Sequence, residues 1–191
     1  FKNGKVTTLP SVNTIADGTA VKTPGSNIFP YIKKNLDDII TVEDDELIVA
    51  FLDMVENHKM IVENSGLLTV AALKHLGVKD KRVVSILSGG NMDVITMSSV
   101  VQQGLIFRDR IFTVSVLLPD KPGELAKVSQ TLADVQGNVI KLEHNQFVTT
   151  NRSAAVELRI TLECFDTEHK EQIIAALEKK GYKPRIVRTM I

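Results

Sequence analysis

The sequence predicts an α/β protein built of two units, a partial, mainly parallel sheet covered by helices followed by a smaller α+β unit. Up to about residue 108, short apolar runs alternate with helical patterns, which is typical of a parallel sheet. From residue 109 onward, longer strand patterns and two helical patterns follow the order βαββαβ, which fits a four-stranded antiparallel sheet with both helices on one face. A short charged turn at residues 108–110 joins the two patterns, so we expect units of residues 1–108 and 109–191.

In the first unit, helices are predicted at residues 28–35 and from about residue 44 onward, with short strands at 38–42, 60–62 and 82–87. Residues 41–44 resemble a capping box for the second helix, whose first turn is rich in acids. A further helix is expected to begin near Asp93 and to end near Gly104. The apolar stripe of the second helix consists of Leu47, Ile48, Phe51, Met54 and Val55.

In the second unit, strands are predicted at residues 111–118, 139–147, 155–164 and 183–187. A turn at 119–123 leads into the first helix, which carries its apolar residues on one face. The second helix begins at residues 166–167 and is expected to stop at Gly181. The apolar face of the first helix consists of Leu125, Val128, Leu132 and Val135.

Composition excludes several classes of function. Lys and Arg total 23 and Asp and Glu total 23, so no net charge draws the chain to nucleic acid or to an anionic membrane. No apolar run is long enough to span a bilayer, and the first five residues do not resemble a signal peptide. The single cysteine, Cys164, cannot form an internal disulfide, which favours a cytoplasmic location, and we expect it to be inert packing.

The four histidines do not indicate a metal site or a catalytic role. Their spacing matches no set of metal ligands, and His58 and His75 lie toward helix C-termini, where a cation is favoured. His144 is expected on a strand and His169 at an exposed helix start.

The most informative motif is Ser-Gly-Gly-Asn at residues 88–91, which follows the strand pattern of residues 82–87. It offers a hydroxyl, two unhindered amides and a carboxamide at the carboxyl end of a strand, where ligands bind in α/β folds. Two more motifs precede it, at residues 14–21 around Gly18 and at residues 61–66 around Glu63. Taken singly, Ser88 could be a helix cap, Gly18 a turn and Glu63 a solvated acid, but the three motifs together resemble those of one enzyme family, which implies a shared site.

A second candidate site lies at residues 120–125, where Gly123 allows close approach to the backbone and a helix N-terminus can receive a carboxylate. The competing interpretation is a tight turn. With the βαββαβ order, this motif and the Gly-Asn pair at 137–138 resemble an ACT domain over residues 110–188. That resemblance implies an amino-acid effector, bound across a dimer interface, or dimerisation alone. The predicted effector-binding residues are Asp120, Gly123, Glu124, Leu125 and Asn138.

The three motifs of the first unit resemble the threonine ammonia-lyases, which have the fold of the tryptophan synthase β subunit. The resemblance implies pyridoxal 5′-phosphate, a homo-oligomer, and elimination of water from L-threonine or L-serine to give 2-oxobutanoate or pyruvate and ammonia. Serine racemases share the motif at 14–21 and are the alternative. By the same resemblance Ser88 faces the pyridine nitrogen, Gly18 places its carbonyl near the cofactor, and Glu63 lies beside the ring. The predicted cofactor-binding residues are Ser88, Gly18, Glu63, Gly89 and Asn91.

The family's imine-forming lysine and its glycine-rich phosphate loop are expected upstream of Phe1. We therefore expect the chain to be the C-terminal part of such an enzyme and to be inactive alone. The other possibility is that this piece acts only as an amino-acid-binding and dimerising module. At residues 144–146 the chain has His-Asn-Gln where relatives often have His-Asp-Arg, so His144 fits and Asn145 and Gln146 depart from the pattern.

Overall fold

The computed structural model of the chain describes residues 1–146 and 156–189. Within it the chain forms two compact units, Phe1–Gly104 and Leu105–Ile191. Among the described residues, no helix is both long and apolar enough to cross a bilayer.

The described part of the first unit is helical and irregular. The helices that begin in this unit are α1 (Phe29–Asn35), α2 (Asp44–Asp53), α3 (Leu68–Ala71) and α4 (Val94–Phe107). The helix α2 continues into one π-helical turn, Met54–His58, which ends at Lys59 in the left-handed conformation. Single 3₁₀ turns lie at Asp17–Thr19, Asn64–Leu67 and Ala72–His75.

The capping box of α2 lies two residues later than predicted. Glu43 is the N-cap, and its backbone N–H donates to Oε2 of Glu46 at 2.8 Å. The predicted box at residues 41–44 was wrong because the carboxylate of Asp44 is engaged by another part of the chain. The acidic first turn is present as expected and complements the helix dipole.

The core of the first unit forms around α2. The predicted apolar stripe is confirmed, with four of its residues buried and Val55 half-buried. The predicted helix end at Gly104 was wrong, because this glycine is buried inside α4, where a Cβ atom would lie 3.4 Å from Leu52 and 3.5 Å from Ile48. Instead α4 ends before Asp109, which adopts a left-handed conformation with φ of 55°.

The three strands predicted for the first unit are not formed by the described residues. Residues 1–146 and 156–189 contain a single sheet, and all of its strands belong to the second unit. Residues 82–87 lie outside any helix or strand, with Val84 90% and Ile86 72% exposed. A parallel strand needs a neighbour to pair its N–H and C=O groups, and the described residues supply none here.

The second unit has the predicted βαββαβ order. Its elements are β1 (Ile111–Leu118), α5 (Glu124–Asp134), β2 (Asn138–Asn145), β3 (Val156–Glu163), α6 (Thr167–Lys179) and β4 (Arg185–Val187). The sheet is antiparallel with strand order β2-β3-β1-β4. The predicted strand ends at residues 147 and 155 lie outside the described residues. Apolar residues of β1, β3 and both helices form one buried core, which includes Val114, Ile160 and Ile173.

His169 is a buried residue of this unit, which corrects the prediction of an exposed helix start. It is 6% exposed, and its ring stacks on Phe165 with 4.6 Å between the ring centroids. Nδ1 accepts a hydrogen bond from the Phe165 N–H at 3.1 Å, and Nε2 lies 2.7 Å from the carbonyl oxygen of Val135. These partners fix the tautomer with the proton on Nε2. The residue therefore holds the end of α5 to the start of α6.

Candidate functional site

Glu63 brings two of the three motifs of the first unit together. Its backbone N–H donates to the carbonyl oxygen of Gly89 at 3.4 Å. Its carboxylate Oε2 accepts a hydrogen bond from the N–H of Asn91 at 3.3 Å. The acid of the second motif is thus held by the backbone of the third, although 28 residues separate Glu63 from Asn91.

Glycines make this close contact possible. Gly89 has φ of +78°, and a Cβ atom there would lie 2.1 Å from Cδ of Glu63. A Cβ atom on Gly66 would lie 1.9 Å from the carbonyl oxygen of Ser88. Any other residue at either position would force the two segments apart.

The first motif reaches the same place through Gly18. A Cβ atom on this glycine would lie 2.8 Å from Oγ of Ser65 and 3.6 Å from Oε1 of Glu63. The backbone at Gly18 therefore packs directly on the turn that follows Glu63. All three motifs that the sequence singled out meet within the first unit.

Two buried polar atoms at this junction have no hydrogen-bond partner within residues 1–146 and 156–189. They are Oδ1 of Asn64, a residue that is 5% exposed, and Oγ of Ser65. Buried polar atoms of folded proteins almost always find a partner, so this pair indicates a place for a polar ligand atom or a water. Both residues belong to the motif around Glu63, but neither is among the predicted cofactor-binding residues.

A cavity of about 390 Å³ lies beside these segments. Of the predicted cofactor residues, Glu63 and Asn91 line it, together with Asn64 and the acids Asp17 and Asp93. Hydrogen bonds from the side chain and backbone of Thr96 hold the pKa of Asp93 below its usual value. Ser88, Gly18 and Gly89 are not among the lining residues and adjoin the site through their contacts with Glu63 and the turn after it.

The second predicted site is partly assembled. Asp120, Gly123, Glu124 and Leu125 line one cavity of about 290 Å³, and His144 lines it too. Gly123 precedes α5 with φ of +92°, and no atom lies within 4 Å of the position of a Cβ there. Among the described residues no group of three or more acids, histidines or cysteines is arranged to hold a metal ion.

Asn138 lies apart from the other four predicted effector-binding residues. It lines a separate cavity of about 470 Å³, and its Nδ2 donates to Oε2 of Glu163 at 3.0 Å. The same cavity is lined by Cys164, whose Sγ lies 2.7 Å from the carbonyl oxygen of Asp109. Burial raises the pKa of this thiol to about 11, in agreement with the inert role predicted for it.

The two parts of the chain match different families of known proteins. Residues 1–89 match the family described as pyridoxal-phosphate dependent enzyme, and residues 112–181 match the ACT domain. The L-threonine ammonia-lyase of Geobacter sulfurreducens is 36% identical over 184 residues, which are 95% of this chain and 46% of that protein. The L-threonine ammonia-lyase of Thermotoga maritima is 33% identical over 188 residues, 98% of this chain and 47% of that protein.

Among solved structures, the processed form of threonine deaminase isoform 2 from Solanum lycopersicum superposes with a TM-score of 0.50 at 28% identity, covering 53% of this chain and 31% of that one. The chain spans about half the length of the curated relatives that it matches. These matches confirm the resemblance and the fold class inferred from the motifs. The chain therefore combines a segment that matches the pyridoxal-phosphate dependent enzyme family with one that matches the ACT domain, and over nearly its whole length it is similar to L-threonine ammonia-lyases.

Proposed function

We propose that the chain forms part of a pyridoxal-phosphate dependent ammonia-lyase that eliminates water from L-threonine or L-serine. The products are 2-oxobutanoate or pyruvate, with ammonia. The observation that carries this proposal is the meeting of the three motifs at Glu63, which touches Gly89 and Asn91 on one side and lies near Gly18 on the other.

The residues at this junction fit one edge of the cofactor. Two buried oxygens, Oδ1 of Asn64 and Oγ of Ser65, have no partner among the described residues and suit a polar ring substituent or a bridging water. The glycines at 18 and 89 keep side chains out of the junction. Ser88, whose backbone carbonyl packs on Gly66, precedes Gly89 and offers a neutral hydroxyl.

When bound, pyridoxal 5′-phosphate supplies the electron sink that loss of a β-hydroxyl group requires. Ser88 is the proposed partner of the pyridine nitrogen, and its neutral hydroxyl does not force that nitrogen to protonate as an aspartate would. A pyridine nitrogen that is not protonated would make the electron sink weaker, which would favour rapid elimination. Glu63, held in place by the N–H of Asn91, would orient the ring, and the carbonyl of Gly18 would lie near the same cofactor.

We assign the imine-forming lysine and the phosphate-binding loop to the part of such an enzyme that this chain does not match. The 191 residues alone should then give no visible imine absorbance with pyridoxal 5′-phosphate and no 2-oxobutanoate from L-threonine. Robust turnover by a verified 191-residue chain would contradict this assignment.

A chimera tests the proposed activity directly. In the Geobacter sulfurreducens L-threonine ammonia-lyase, the matching 184 residues are replaced by the corresponding residues of this chain. We expect cofactor absorbance and 2-oxo acid formation from L-threonine or L-serine. Ser88→Ala should lower kcat by about tenfold through loss of one hydrogen bond. Ser88→Thr keeps the hydroxyl and Ser26→Ala changes an exposed serine elsewhere, so neither control should show this loss of kcat.

Two outcomes of the chimera experiment would overturn the proposal. One is a folded chimera that binds the cofactor and releases no ammonia from either substrate. The other is interconversion of L- and D-serine without ammonia, which would favour the racemase alternative.

We also propose an amino-acid effector at the cavity of the ACT domain lined by Asp120, Gly123, Glu124 and Leu125. The support is the open left-handed glycine at the N-terminus of α5, with His144 on the facing strand. Because Asn138 lies in another cavity of the same chain, its predicted role requires a second copy of the chain, in a dimer formed through this domain.

Calorimetry with isoleucine, valine, threonine and serine tests the effector site. Gly123→Leu should abolish the heat of binding. Gly181→Leu is the matched control, because Gly181 has φ of +88° and equally open space. No heat with any of the four amino acids would contradict an effector site and leave dimerisation as the role of this domain.

A further inference from the structure

Asp44 makes contacts that its place at the start of α2 does not require. Its Oδ1 accepts a hydrogen bond from Oγ1 of Thr14 at 2.5 Å, and its Oδ2 accepts one from the N–H of Ile15 at 3.1 Å. These residues are 30 and 29 positions earlier in the chain. A carboxylate that receives two such bonds is a strong anchor for a turn.

Asn64 bonds Ile15 from the other side. Its Nδ2 donates to the carbonyl oxygen of Ile15 at 3.0 Å. The backbone N–H of Ile15 is thus bonded to Asp44 and its carbonyl to Asn64, two side chains from different elements. We name this arrangement of Asp44, Ile15 and Asn64 the Ile15 clamp.

The clamp lies three residues before Gly18. Ala16, which is buried, donates its N–H to Oγ1 of Thr14 at 3.1 Å. The carbonyl of Ala16 then accepts a hydrogen bond from the N–H of Thr19 at 3.0 Å, which closes the turn that contains Gly18. The clamp bonds both the N–H and the C=O of Ile15. The short run of backbone that follows Ile15 therefore sets where Gly18 packs on Ser65 and Glu63.

We propose that Asp44 is a positioning residue, which acts through the Ile15 clamp to hold Gly18 against the Glu63 turn of the candidate cofactor site. The role of that site rests on the proposed function, whereas the clamp can be measured without cofactor or substrate. Neither Asp44 nor Asn64 belongs to the predicted cofactor residues.

Amide hydrogen exchange of the 191-residue chain, followed by NMR, is the primary test. In Asp44→Ala the amides of Ile15, Ala16 and Thr19 should exchange about tenfold faster, while those of the core of α2 change less than about twofold. Asp45→Ala is the matched control, because it removes the same charge from the next, exposed position of the same helix turn. Asp44→Asn keeps one acceptor oxygen and should restore most of the protection.

A second pair of variants keeps the test decisive if Asp44→Ala does not fold. Thr14→Val removes the hydroxyl at similar volume, and Thr14→Ser retains it, so only the valine variant should accelerate exchange at Ala16. Equal acceleration across residues 1–104 in Asp44→Ala, or the same local effect in Asp45→Ala, would overturn the proposal, because a general loss of stability would then explain the result.

The chimera described above links the clamp to the cofactor. Asp44→Ala should raise the pyridoxal 5′-phosphate concentration needed for half-maximal reconstitution by about tenfold, and Asp45→Ala should leave it unchanged. An unchanged concentration in Asp44→Ala would contradict the link to the site. A chimera without activity would count against the proposed function, and the exchange measurement would still decide whether the clamp exists.

Discussion

The two units of this chain keep their apolar residues from water in different ways. In the second unit, β1 pairs along its whole length with β3, and one face of the sheet is covered by α5 and α6. In the first unit, a core surrounds α2, while residues 82–87 leave large apolar side chains in solvent. One unit therefore completes its core with its own strands, whereas the other relies in addition on polar contacts between loops.

Replacing an isoleucine by alanine should destabilise the buried core of the second unit far more than the open segment of the first. Ile160→Ala removes a side chain that is 0% exposed from the core of the second unit, and it should lower the free energy of unfolding by about 2–5 kcal/mol. Ile86→Ala changes an exposed isoleucine of the first unit and should cost less than about 0.5 kcal/mol. Urea titrations, with unfolding of each unit followed by hydrogen exchange, measure both changes in the free energy of unfolding. Similar losses in the two variants would contradict this difference between the units.

The same contrast explains what the sequence predicts well. Residues 111–118 are predicted as a strand and form β1 with these bounds, because strand alternation is a local property of the chain. The start of α6 is also predicted, since Asp166 accepts a hydrogen bond from the N–H of His169 as an N-cap does. Burial of the His169 ring is not predicted, because it depends on Val135 in another helix region.

In the first unit the motifs predict more than the periodicity does. Glu63 and Gly89 are predicted from the family resemblance of their motifs, and they meet in the structure. The Ile15 clamp is missed, because the acidic turn of α2 gives no local sign that Asp44 bonds a segment 29 residues away. A strand at 82–87 is predicted from composition, but a strand forms only where a neighbour pairs with it.

The reactivity of a thiol should also differ between the two units. Because the folded pKa of Cys164 is about 11, its thiolate fraction at pH 8 is small, and its reaction with a disulfide reagent should be about a hundredfold slower than that of an exposed thiol. Val84→Cys places a thiol at a position that is 90% exposed and should react at the rate of a free cysteine. Equal rates in the folded protein would contradict the closed core around Cys164.

Two glycines of the first unit test whether the loops are held by close contact. Gly77→Ala places a methyl group at φ of +58° in open space and should cost about 1 kcal/mol from backbone strain. Gly89→Ala has the same kind of strain, and its Cβ also displaces the carboxylate of Glu63 from the N–H of Asn91, which adds about 1 kcal/mol. Thermal unfolding and exchange of the Asn91 amide measure the difference, and equal costs would show that Glu63 makes no tight contact there.

The smallest expected effect comes from the ion pair that fixes the start of the second unit. Asp109 lies 2.6 Å from Nζ of Lys170, and it also accepts a hydrogen bond from Thr167. The bond from Lys170, more than that from Thr167, holds the pKa of Asp109 below its usual value. Asp109→Asn should lower the free energy of unfolding at pH 7 by about 0.5–1 kcal/mol, since the pair is partly exposed.

The pH dependence of this effect has a defined sign. Because the folded pKa of Asp109 is depressed, its contribution is present above the unfolded value of about 3.9 and is lost as the pH falls through the folded value. The difference between the chain and Asp109→Asn should therefore stay constant from pH 7 to about pH 5 and shrink below about pH 4. Urea titrations across this range measure it, with Glu178→Gln as an exposed control on α6. A difference that persists at pH 2 would mean that the charge of Asp109 does not stabilise the unit, and that its hydrogen bond to Thr167 alone does.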